Sequence, residues 1–381
     1  MNVVVIGAGP VGATFALLAR RAGLNVSLLE AREGPSREAR TLALSWGSRE
    51  ILDEAGAWSN GLQATAIHSI HTSQKGGFGR VDLSREDGGV EALGYVLTYA
   101  DLQAVLDAAL EREGIDVSRG ATVSAIDQAD DYAEISYAFN AQAKQMSADV
   151  VVLADGGANL GKVPAMVTTE KDYGQVALLA HIVSDTPHRH RAFERFTTEG
   201  PAALLPKQGA AEYSMVWVAS PERIEALKVL DDDTFCAAFQ THFGYRAGKF
   251  LTVENRRSYP LKLRTISSPV AGRVVVIGNA AQALHPVAGQ GFNLGLRDAV
   301  DLARGLAERD LMPADASLLR YAAARSQDVT RSVGFTDFLV GAFSGDDAML
   351  RLPRGLALAA VDLLPFARRA LARRMLFGAA R

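Results

Sequence analysis

The chain has 381 residues, 48% of them hydrophobic and 22% charged, with a formal net charge of −3. That length allows two or more domains and a large core. The charge balance argues against a general nucleic-acid binder, and the single cysteine, Cys236, excludes an internal disulfide and a cysteine-rich metal site.

The sequence opens on the strand-like run Val3-Val4-Val5-Ile6, with no basic flank or cleavable apolar leader ahead of it. No uncharged apolar run approaches the roughly 18 residues needed to cross a bilayer. A cytoplasmic, non-spanning protein is expected.

Residues 2–30 read as a strand, the turn Gly7-Ala8-Gly9-Pro10-Val11-Gly12, an apolar-periodic helix through Phe15, Leu18 and Ala19, and a second strand closed by Glu30. This is the βαβ dinucleotide fingerprint. Gly7 makes the turn, Gly9 admits a pyrophosphate, Gly12 lets helix and strand pack closely, and Glu30 is placed to take ribose hydroxyls. The fingerprint alone does not separate FAD from NAD.

Arg32 and Arg40 follow in a loop before Thr41-Leu42-Ala43-Leu44, and then a helix through Ile51 and Leu52. Residues 68–87 alternate and are rich in Gly and Ser, so they read as hairpins. A strand through Tyr95 and Leu97 leads into a helix carrying Gln103, and residues 122–126 and 132–137 read as antiparallel strands. The buried run 148–154 ends at Asp155-Gly156, followed by Lys162. His188 and His190, beside Arg189 and Arg191, read as solvated surface rather than a metal site. Tyr213, Met215 and Trp217 share one face of a strand; Leu204, Met215 and Trp217 are the expected substrate contacts. Past Tyr259-Pro260-Leu261, Val274 to Ile277 is again a strand buried on both faces. After Gly289-Gln290-Gly291, the residues Phe292, Leu294, Leu296, Ala299, Val300 and Leu302 recur at helical spacing. A helix starting at those glycines leaves backbone N–H groups open to an anion.

The pattern G-N-A-A-Q-x-x-H-P-x-x-G-Q-G-x-N-x-G-x-x-D-A from Gly278 onward resembles the second FAD motif of single-component aromatic hydroxylases, most closely the ubiquinone-biosynthesis branch that hydroxylates polyprenyl-methoxyphenols. Asp155-Gly156, the Glu194-Arg195-Phe196-Thr197 block and the Gly200 to Pro206 block resemble the same family. Where the family usually has Gly-Asp this chain has Asn279, and an arginine common near Tyr99 is missing. The resemblance covers roughly residues 2–340.

It implies an α/β fold: a Rossmann-like FAD-binding domain, an inserted mainly β substrate domain (para-hydroxybenzoate-hydroxylase-like) and a helical C-terminal tail. The expected division is residues 1–67, 92–172 and 258–330 for the FAD-binding domain, 68–91 and 173–257 for the substrate domain, and 331–381 for the tail. The implied cofactor set is Gly7, Gly9, Gly12, Glu30, Arg32, Arg40, Gln103, Asp155, Asn279, Gly289, Gly291 and Asn293. The implied activity is hydroxylation of a polyprenylphenol with NAD(P)H and O₂ through a flavin C4a-hydroperoxide; His285 and Tyr213 are the candidate acid or base groups, and no metal is expected. Two rivals stand beside it. One is an FAD enzyme of another reaction, although the halogenase W-x-W-x-I-P signature is absent; the other is a flavin-folded scaffold among other ubiquinone-biosynthesis subunits.

The stretch 351–381 has seven arginines against Asp362, interleaved with leucines and Phe366 and Phe377. Such a stretch either lies peripherally on anionic lipid or a partner, or covers a core with arginines at its rim.

Overall fold

Runs of β-branched residues without a polar side chain make strands that are buried on both faces, and these build the centre of the molecule. In the computed structural model, Val274–Val276, Val150–Leu153, Asn2–Ile6 and Asn25–Glu30 lie side by side and parallel in that order, with Asp116–Arg119 beyond the last and Val270–Ala271 antiparallel at the opposite edge. The structure describes residues 1–381 except 60, 284–289, 309–313, 344–347 and 379–381. The candidates His285 and Gly289 lie outside the described residues.

The helix Pro10–Arg21 crosses from the first strand to the second, and Gln290–Ala307 packs beside it. Phe15, Leu17, Leu28, Leu102, Leu106, Leu296 and Val300 form one core on that side of the sheet. A meander of Thr122–Gln128, Ala133–Phe139 and Gln142–Ala148 covers the other side, setting Val123, Ile126 and Ile135 against Val4, Ile6 and Val151.

An eight-stranded sheet stands next to this unit, in the order 282–283, 250–266, 168–184, 212–219, 201–206, 191–196, 69–74, 80–84. Its backbone is the antiparallel pair Thr168–Ser184 and Phe250–Ile266, each 17 residues long. The divisions expected at 172/173 and 257/258 fall inside these two strands. Thr168–Asp172 is wholly exposed, so the first part of its strand carries no hydrophobic alternation to read. The helix Ala314–Phe343 likewise runs through residue 331, and Ala348–Leu363 and Pro365–Phe377 complete the tail.

Two helices close one face of the large sheet. Ser220 accepts the Arg223 amide and Asp231 the Thr234 amide, which start Pro221–Lys228 and Asp232–Phe243. Their apolar sides, Ile224, Leu227, Phe235, Phe239 and Phe243, bury Leu204, Tyr213, Met215 and Trp217.

Candidate active site

Among the described residues, two cavities have Arg40 on their walls. The first, about 540 Å³, is lined by Gly7, Gly9, Glu30, Arg32, Tyr99, Asp155 and Asn279. Gly7 has φ +103°, and a Cβ there would come within 2.7 Å of the Asp155 nitrogen. A Cβ on Gly12 would sit 2.0 Å from the Gly7 carbonyl oxygen, so helix and turn meet at glycine contact distance. The Pro10–Arg21 helix has no side-chain cap at its start, leaving its first N–H groups facing the cavity.

The polar groups around this turn are held in place. Glu30 accepts from the Ala8 amide at 2.7 Å and the Arg32 amide at 2.8 Å. Gln103 is fully buried; it donates to the Ala8 carbonyl at 2.8 Å, and its Oε1 has no hydrogen-bond partner among the described residues. The same is true of Arg32 Nε and Nη2. Buried polar atoms without partners are uncommon. Asp155 accepts from the amides of Gly157 and Asn159, both at 2.8 Å, and so shapes its own loop. Tyr99 opens the helix Tyr99–Arg112. Its hydroxyl is 3.3 Å from a Cβ position at Gly9, and burial raises its pKa. Arg40 pairs with Glu38 at 3.0 Å and lies 5.4 Å from the Tyr99 ring centre.

Arg264 was not picked out from the sequence. It donates to the carbonyls of Gly156 at 2.6 Å and Asn279 at 2.7 Å, tying together the two distant loops on which the resemblance rests. Its position near the end of the long strand Phe250–Ile266, ahead of the short strands that lead to Gly278, was the only available signal. The side chain of Asn279 itself is exposed to the cavity. Asn293 is committed elsewhere: it accepts from the Ser45 amide and Ser48 hydroxyl and donates to the Ala43 carbonyl, pinning the strand Thr41–Ser45 to its helix. A Cβ on Gly291 would meet nothing within 4 Å.

The second cavity, about 370 Å³, lies between the strand Thr41–Ser45, the large sheet and the last helix. Ala177, Ala203, Leu205, Val216 and Val218 line it from the sheet, with Met375 and Leu376 from Pro365–Phe377. These are the alternate residues to the expected Leu204, Met215 and Trp217. All three of those are fully buried and face the helices 221–243 on the opposite side, so the structure turns the expected contacts away from this cavity. The large side chains are there because two apolar helices need filling; the small and β-branched ones leave the open space.

Tyr213 shares that buried side. It is 1% exposed, its pKa is pushed up to about 12 by burial, and it touches His188 and Phe193 edge-on, away from the cavity. His188 is buried too, facing the Lys207 and Gly209 carbonyls at 2.9 and 3.0 Å, so it is a structural residue rather than solvated surface. No group of three metal-ligating side chains occurs among the described residues.

A family model described as an FAD binding domain matches residues 1–336. The chain belongs to the FAD binding domain family. Among its relatives are the ubiquinone hydroxylase UbiL of Rhodospirillum rubrum, 29% identical over 95% of this chain and 86% of that one, and the 3-demethoxyubiquinol 3-hydroxylase of Escherichia coli, 27% identical over 95% and 94%. The p-nitrophenol 4-monooxygenase PnpA of Pseudomonas putida shares the fold, with a TM-score of 0.81 at 18% identity, covering 100% of this chain and 98% of that one. FAD is therefore the cofactor of this flavoprotein, and the residues present fit it. The glycine turn leaves no room for side chains, Arg32 and Gln103 present unpartnered buried polar atoms, and the uncapped helix start suits a pyrophosphate.

Proposed function

We propose that the protein is an NAD(P)H- and O₂-consuming monooxygenase that hydroxylates a polyprenylated phenol of ubiquinone biosynthesis. The observation that carries this reading is the apolar cavity of about 370 Å³ meeting the nucleotide cavity at Arg40, in a chain whose full-length relatives include ubiquinone hydroxylases. FAD, when bound, supplies the redox and oxygen chemistry.

The chain's own residues bind, orient and exclude water. Gly7, Gly9 and Gly12 admit the pyrophosphate, Glu30 is oriented by two amides toward ribose hydroxyls, and Arg264 fixes the Gly156 and Asn279 loops. Arg40, paired with Glu38, stands at the junction of the two cavities, on the wall of both. Ala203, Leu205, Val216 and Val218 form a dry wall for a ring, which suits a reaction that water would short-circuit. An electron-rich phenol needs orientation more than acid–base help, and Tyr213 is too far buried to give any.

NAD(P)H oxidation by the FAD-loaded protein should be stimulated by a short-chain prenylphenol and yield a hydroxylated product. Ala203→Trp should abolish the stimulation while keeping the flavin. Stimulation that survives in this variant would remove the cavity from the reading.

A further inference from the structure

The last helix, Pro365–Phe377, turns one side to the apolar cavity, the helix Ala348–Leu363 before it packs on the strand Arg80–Ser84, and the solvent side of both is largely apolar. Inward, Met375 and Leu376 line the cavity, Asp362 accepts the Asp82 amide at 2.9 Å, and Arg368 donates to Asp87 at 3.2 Å. Outward, Leu352, Leu356, Ala360 and Leu363 form an exposed stripe at helical spacing that ends in the exposed corner Leu364-Pro365-Phe366. Leu363 and Phe366 are 78% and 71% exposed. Phe78, also exposed, rests on Gly355 of the same helix and widens the patch. Contiguous apolar surface of this kind marks an interaction site. On the exposed side of the next helix, Arg369 and Arg373 follow Phe366 at intervals of about one turn. Neither is paired with a carboxylate among the described residues.

We propose that this face docks on an anionic bilayer, with the leucine stripe and Phe366 among acyl chains and Arg369 and Arg373 at lipid phosphates. Apolar residues flanked by unpaired arginines match an anionic lipid interface. They match a second copy poorly, since a two-fold contact would bring the same arginines toward each other. The docking rests on these residues alone. Its use follows from the reading above that the substrate is polyprenylated. A cavity of about 370 Å³ takes a ring and the start of a tail, so the rest of a long prenyl chain lies outside it. The helix that walls the cavity, Pro365–Phe377, and its neighbour are then the ones seated on the membrane, and the ring enters while the chain stays in lipid.

The test uses full-length, FAD-loaded protein sedimented with vesicles of phosphatidylglycerol and phosphatidylcholine, or of phosphatidylcholine alone. The protein should partition onto the anionic vesicles. Arg369→Gln with Arg373→Gln should weaken this by on the order of tenfold, and Leu356→Glu with Leu363→Glu and Phe366→Glu should nearly abolish it, with FAD content unchanged in both. Equal partition on the two vesicle types overturns the proposal, as does a dimer in solution that the glutamate variants convert to monomer. If the vesicle results hold but no prenylphenol stimulates NAD(P)H oxidation, the docking surface stands and the substrate reading falls.

Discussion

Gly12 sits where the Pro10–Arg21 helix passes over the Gly7 carbonyl, and the contact is too close for any Cβ. Gly12→Val should therefore lose FAD on purification and cost about 3 kcal/mol or more in urea denaturation, because backbone rather than a flexible side chain must yield. Arg264→Met frees two loop carbonyls, and FAD affinity should drop about tenfold by fluorescence titration, the order expected for charge-assisted hydrogen bonds. Asn279→Asp should keep FAD, since the side chain is exposed to the cavity and either form accepts a hydrogen bond. His242 gives a pH signature. Burial, helped by Lys75, Arg223 and Arg195, lowers its pKa to about 3 from 6.5. The unfolded chain then binds the proton more tightly, so stability is present above about pH 6.5 and is lost as pH falls toward 3. The loss should be about 2 kcal/mol by about pH 5. His242→Leu should flatten that slope in urea midpoints measured across the range; an unchanged slope would show that another group sets it.

Among the elements, the glycine turns and the strands that precede them were legible because their chemistry is local. Gly12 is required by the Gly7 carbonyl five residues before it, and Gly7 and Gly278 by a positive φ. Which face of the sheet lines the cavity was not legible, for a physical reason. Alternation along Glu212–Ala219 separates Tyr213, Met215 and Trp217 from Ser214, Val216 and Val218, but nothing in a strand tells which side another element will cover. The deciding signal lay downstream: Ile224, Leu227, Phe235, Phe239 and Phe243 at helical spacing demand a large apolar partner surface. The tail shows a related ambiguity, since one of its sides covers the cavity while another is exposed. Leu376 is 1% exposed, and Leu376→Ala should cost about 2 to 4 kcal/mol in thermal or urea unfolding. Truncation before Arg351 should expose the cavity wall and reduce solubility, so vesicle binding is better tested with the point variants.

At the scale of the whole molecule, the chain brings residues from 7 to 30, 155 to 159, Tyr259, Leu261 and Asn279, and residues from 372 to 376 around two cavities that meet at Arg40. None of the described helices is long and apolar enough to cross a membrane. The joining of the two large sheets was hidden in the sequence because it runs through two long strands, Thr168–Ser184 and Phe250–Ile266, whose mutual pairing is long-range and whose exposed stretches, 168–172 in one and most of 254–260 in the other, carry no hydrophobic alternation. The proposed function requires the smaller cavity to hold a prenylated phenol while FAD occupies the larger one. Turnover of a short-chain prenylphenol under isotopically labelled O₂, followed by mass spectrometry of the product, tests it most directly. One labelled oxygen on the ring, with NAD(P)H consumed in equal amount, is the predicted result; NAD(P)H oxidised at the same rate with and without the phenol, with the label found only in hydrogen peroxide, would contradict it.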